Sequence, residues 1–215
     1  VSERAPSIDP QVVHEDGFVG SATCASCHPF RHATWHSSYH RSMTQLANRH
    51  SILAPFDGTE LELEGVTWRP ERRGDEFWVT GTTSKTASGA VQTFEARVVM
   101  TSGSHNYQLY WLESDGKSGM SQFPIVWLVY EQMWIPRKSR FLMPPKDHTP
   151  TEKGRWKAHC IKCHSTYGRK HALPNQETRV AELGISCEAC HGPGQEHVER
   201  NQSPLHRYQR HLKSD

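Results

Sequence analysis

Apolar and polar residues alternate through the middle of the chain. Leu61-Glu-Leu-Glu-Gly-Val66, Phe77-Trp-Val-Thr80, Val91-Gln-Thr-Phe-Glu-Ala-Arg-Val98 and Tyr107-Gln-Leu-Tyr-Trp-Leu112 keep a period near two, and an unbroken apolar run over 125–130 follows. Turn residues fall between them: Arg73-Gly74-Asp75, Ser88-Gly89, Ser102-Gly103-Ser104 and Asp115-Gly116. The pattern predicts an antiparallel meander of about five or six strands over 55–135. On its N-terminal side the period changes. Trp35, Tyr39, Met43 and Leu46 recur at i, i+4, i+8 and i+11, which predicts one helical apolar stripe with Pro29 at its first turn. His32, His36 and His40 form a parallel ridge. On the C-terminal side Pro136, Pro144, Pro145 and Pro150 mark an irregular connection, and a short helix leads into Cys160. A further helix is predicted over 177–183, ended by Gly184, and Gly192-Pro193-Gly194 makes a sharp turn before 195–201.

The chain has 215 residues, enough for one domain with a sizeable insertion. Only 35% of them are hydrophobic, so an ordinary apolar core looks thin and something else is expected to fill the interior. The net charge of +2 lacks the strong basic excess of a nucleic-acid clamp. No apolar run approaches the roughly 20 residues of a membrane span. The chain opens Val1-Ser2-Glu3-Arg4 and reads as a mature or trimmed product.

Cysteine and histidine change the picture. All six cysteines fall in Cys-x-x-Cys pairs, Cys24/Cys27, Cys160/Cys163 and Cys187/Cys190, and His28, His164 and His191 follow them directly. With 15 histidines in the chain, three such coincidences have odds of roughly one in 3,000. C-x-x-C-H is the attachment pattern of c-type haem. Two thiols add across the vinyl groups of one porphyrin edge, and the next imidazole is then held where it ligates iron. Zinc is the main rival, with Cys160, Cys163, Cys187 and Cys190 as a Cys₄ ribbon, but that leaves Cys24 and Cys27 over and gives the histidines no task. Disulfides at i and i+3 staple little, and a thioredoxin-like motif lacks its βαβ context. Three haems also resolve the thin core, because each porphyrin is a large apolar body.

The division that follows is an N-terminal arm (1–17), a first haem segment (18–54), the β-rich segment (55–135), a second and third haem segment (136–202) and a tail (203–215). The expected fold class is α+β: helices and loops wrap haem at both ends, with an antiparallel meander inserted between the first and second sites.

Phe18-Val-Gly-Ser-Ala-Thr-Cys-Ala-Ser-Cys-His28, with Trp35-His-Ser-Ser-Tyr-His-Arg-Ser-Met43, resembles the first site of multihaem cytochromes c of the cytochrome c-554 type. Ile185-Ser-Cys-Glu-Ala-Cys-His-Gly-Pro-Gly-Gln-Glu-His197 is more similar still, and Trp156 with Cys160-Ile-Lys-Cys-His-Ser165 matches the middle site. The resemblance touches most of residues 18–200. It implies covalent haem c, mostly bis-histidine ligation, closely stacked haems and export to the periplasm or the cell exterior.

Three distal iron ligands then have to come from twelve remaining histidines. His40 resembles the family's histidine after its Trp-x-x-Ser. His197 lies past the Gly-Pro-Gly turn, is badly placed to fold back on its own haem, and is expected to serve a neighbouring one. His105 is the lone histidine of the β-rich segment. His32 and His36 suit a solvated face or haem propionates, with an adventitious metal as the other use. The five methionines and seven tryptophans read as packing.

Electron transfer is the leading function, since three irons with both axial positions filled leave no open site for substrate. A small multihaem oxidoreductase, which needs a five-coordinate haem, and a soluble shuttle are the alternatives. The arm and the tail also allow head-to-tail assembly, a filament with haem-to-haem contacts between copies. Redox proteins are the other expected partners.

Overall fold

The computed structural model describes residues 10–83, 90–113, 120–140, 156, 160–169 and 178–213. The first part holds β1 (Gln11–Val12), α1 (Ser21–Ala25), α2 (Pro29–His36), α3 (Tyr39–Ser42) and β2 (Thr44–Leu46). The middle is all strand: β3 (Leu61–Leu63), β4 (Val66–Arg73), β5 (Glu76–Thr83), β6 (Thr93–Ser102), β7 (Tyr107–Glu113), β8 (Met120–Gln122), β9 (Ile125–Leu128) and β10 (Met133–Pro136). Then come α4 (Arg137–Arg140), α5 (Ile161–His164), β11 (Ser165–Thr166), β12 (Arg179–Val180), β13 (Glu182–Leu183), α6 (Cys187–His191), α7 (Gln195–Asn201) and α8 (Pro204–His211). Among the described residues no helix is long and apolar enough to cross a membrane.

The main sheet runs β10-β9-β7-β6-β5-β4-β3, with β2 beside β6 and β8 beside β7, all antiparallel. It curls until its ends approach. The Lys138 ammonium, just past β10, donates to Glu64 in the β3–β4 turn at 2.7 Å. Trp68 of β4 meets Phe123 edge-on at 5.3 Å across the interior. Period-two alternation sends Phe77 and Val79, Val98, and Tyr110 and Leu112 into this interior with Phe56, Ile125 and Trp127. Burying such rings is what closes the sheet, at about 25 cal/mol per Å² of apolar surface removed from water.

One close approach in the wall requires a glycine. Gly81 pairs across strands with Phe94, whose ring lies over it so closely that a Cβ on residue 81 would come within 2.2 Å of Cζ. The same ring packs on Trp68 at 5.1 Å. Gly81→Val is therefore expected to destabilise the protein by about 2 kcal/mol through overpacking, read as a lowered denaturant midpoint at unchanged slope.

The α+β expectation is corrected by this architecture. Strand exceeds helix, 37% against 27%, and the sheet is a nearly closed, barrel-like body rather than a small meander between haem-wrapping helices. Three physical reasons account for the difference. The stripe Trp35, Tyr39, Met43, Leu46 does not lie on one helix: Ser38 turns extended (ψ 160°) between α2 and α3, and residues 44–46 leave as β2 to pair with Met100–Ser102. The helix predicted over 177–183 is absent from its described part. Residues 179–180 pair in parallel with β1, and 182–183 pair with β11, so edge strands elsewhere in the chain outbid local helix propensity. Finally, Pro70 hides the C-terminal half of β4 from a sequence reading, yet it sits beyond the last β3 partner, Trp68, where no ladder donor is needed on that side. The helix expected before Cys160 lies largely outside the described residues.

The outer face of the wall is covered as well. Val99, Met100 and Trp111 pack with Met120, Trp156, Ile161 and Val180 in a second buried cluster, and Cys160 and Leu183 lie against it. Trp111 and Trp156 meet edge-on at 5.4 Å. The barrel is thus the platform for the second Cys-x-x-Cys-His segment.

Candidate functional site

The three motifs have a common local form. Each cysteine pair spans one turn of helix or its cap: Cys24 in α1 with Cys27 just beyond, Cys160 at the N-cap of α5 with Cys163 inside it, and Cys187 with Cys190 in α6. The first cysteine of each pair is half-buried, the second is exposed, and none of the six is disulfide-bonded. A spacing of three puts both sulfurs on one helix face, so the pair presents outward. His28 and His191 are exposed and His164 is half-buried.

Long-range hydrogen bonds draw the motifs together. Glu188, the second residue of Cys-Glu-Ala-Cys-His, is only 4% exposed. Its carboxylate accepts from the N–H groups of Val19 (3.0 Å), Gly20 (2.8 Å) and Gly194 (2.8 Å). Glu182 accepts from the Ser21 N–H at 2.9 Å and its hydroxyl at 2.7 Å. Two carboxylates from the third segment therefore hold the start of α1, which has no side-chain cap of its own. The Trp35 indole donates to the Ile185 carbonyl at 2.8 Å, and the Ile185 N–H donates to the His40 carbonyl at 3.0 Å. Gly184 (φ 77°) donates to the His164 carbonyl at 3.2 Å, and a Cβ there would meet the His40 and Arg41 carbonyl oxygens within 2.9 Å. Phe18 stacks on Tyr167 at 4.1 Å, joining the first segment to the second.

Cys24 reports how tightly the first and third motifs abut. Burial first, then neighbouring Cys187 and Glu188, push its thiol up to about 11. Among the described residues no three histidines, cysteines or carboxylates gather as a metal-holding group, so Cys160, Cys163, Cys187 and Cys190 do not form a tetrad.

The histidines expected as distal ligands lie as follows. His197, on α7, faces His28 with ring centroids 6.1 Å apart and ring planes 25° apart. Two metal–imidazole bonds of about 2 Å plus two ring radii of about 1.1 Å sum to roughly that span, a separation compatible with two imidazoles sharing one metal atom. His40 lies exposed on α3, its backbone tied to Ile185. His105, in the β6–β7 turn, is exposed, packs at a tilt against Tyr39 with ring centroids 4.1 Å apart and bonds Tyr130 Oη through Nδ1 at 2.9 Å. That bond engages Nδ1, so any other partner of the ring would meet Nε2. Glu182, Glu188 and the Tyr39/Tyr130 frame were not foreseen from the sequence. Their roles depend on partners far along the chain, and no local pattern marks them.

The cytochrome c554 and c-prime family model matches residues 132–192, which contain the second and third motifs. No curated protein and no solved structure matches the chain. The family match supports a c-type cytochrome with covalently bound haem c acting in electron transfer.

Proposed function

We propose that this c-type cytochrome carries three haems and passes electrons among them, and from them to a partner, without binding a substrate at iron. Cys24 and Cys27, Cys160 and Cys163, and Cys187 and Cys190 hold the three groups by thioethers. His28, His164 and His191 are their proximal ligands. Bound haem supplies an iron that cycles between ferric and ferrous states. The observation that carries the reading is the 6.1 Å separation of the His28 and His197 rings, which suits two imidazoles on one iron at the first site. His40 and His105 supply the other two distal nitrogens in this reading. With Nδ1–H donating to Tyr130 Oη, Nε2 is the nitrogen left to ligate iron in this reading.

The second cysteine of each pair is exposed, so haems attached there would have edges near the surface, within reach of a redox protein or another copy of the chain. Residues of the barrel wall position and insulate. Glu113, for instance, receives the Arg97 guanidinium at 3.1 Å rather than standing as a free acid. Covalent attachment places the working protein in the periplasm or outside the cell. The test is a denatured mass. It should exceed the 24.6 kDa chain by three haem masses, with a low-spin oxidised spectrum. Two haems or fewer, or a large high-spin fraction, overturns the reading.

A further inference from the structure

We propose that His32 and His36 form a binding site for one divalent cation of the copper(II), nickel(II) or zinc(II) class, separate from the haem irons. Both lie on α2, four residues apart, so the helix places them one above the other on a single face. Their ring centroids are 5.7 Å apart and their planes 29° apart. Among the described residues, neither ring nitrogen of either side chain has a hydrogen-bond or ion-pair partner, and no carboxylate competes for them.

Trp35 fixes the pair. Its indole N–H is tied to the Ile185 carbonyl at 2.8 Å, and its ring stands 5.3 Å from His32 and 6.2 Å from His36. The imidazoles are thus carried by a short helix anchored to the third haem segment, and only their own side-chain torsions remain to be ordered on binding. Neutral imidazole is a preferred ligand of zinc, copper and nickel, and two of them on adjacent helical turns act as one chelate, with water completing the coordination. His28 and His197 face each other and His40 lies on α3, so the haem reading does not need these two rings.

The experiment uses the haem-loaded protein and nickel(II) alone, followed by equilibrium dialysis, with copper(II) EPR as a second readout. Wild type should hold one more equivalent of tight nickel than either His32→Ala or His36→Ala. Each replacement should weaken that class at least tenfold and remove a two-nitrogen copper signature, while the low-spin haem spectrum stays unchanged. His50→Ala, an exposed histidine outside the pair, should bind as wild type does. Unchanged nickel binding in both variants overturns the site. So does a high-spin haem in either variant, which would make the ring an iron ligand. Failure of the three-haem reading shows in the denatured mass and leaves the nickel stoichiometry untouched.

Discussion

Replacing His197 with alanine is expected to turn one haem high-spin while the others stay low-spin. His197 reaches its position from α7, on the far side of the Gly192-Pro193-Gly194 turn, and its ring stands 6.1 Å from that of His28. In the proposed ligation, removing it leaves His28 as the sole protein ligand of that iron. Water or an added ligand such as imidazole then takes the vacated position. In the oxidised protein, about one third of the Soret intensity should shift and a high-spin EPR signal should appear. Added imidazole should restore the low-spin state, which separates a lost ligand from a damaged fold. His206→Ala, on exposed α8, serves as the control and should change nothing. An unaltered spectrum in His197→Ala would show that the His28–His197 pair is not axial.

Glu188→Ala should cost about 3–5 kcal/mol of stability. The carboxylate answers three backbone N–H groups, those of Val19, Gly20 and Gly194, in a site from which water is largely excluded. Alanine strands those donors and frees the start of α1 from α6. For a chain of this size the change corresponds to a melting temperature lower by about 10 °C. Glu188→Gln keeps one acceptor oxygen and should lose about half as much. Because the bonds join the first and third motifs, the alanine variant should also disturb the spectra of both sites and leave the second site, packed on the barrel, as it was. Glu62→Ala, on an exposed strand position, should be close to neutral. Equal melting temperatures for wild type and Glu188→Ala would remove the clamp.

The site was legible in the sequence where its chemistry is local. A haem-attachment motif needs two thiols and an imidazole within five residues, so Cys187 to His191 can be read without any fold. Most of the barrel strands were legible for the same kind of reason. Alternation in residues 77–80 and 107–112 records which side chains turn inward on a pleated surface, and both stretches lie within β5 and β7. The readings that failed depended on distant partners. Residues 179–183 have no local reason to be extended, and β1 and β11 give them one. Thr44–Leu46 continued a helical stripe on paper, and the edge of β6 captured it.

What the sequence by itself determined, then, is the three Cys-x-x-Cys-His motifs, with the thiols and imidazoles they place side by side, and the strand-forming character of the middle of the chain. Both follow from covalent spacing and side-chain periodicity over a few residues. Tertiary structure decided the rest: that the strands curl into a barrel, that Glu188 fastens the first motif to the third across 169 positions of sequence, and that His197 faces His28. Those outcomes arise from burial of aromatic rings and satisfaction of backbone donors by groups far apart in the chain, and a local pattern carries no record of which distant partner will arrive.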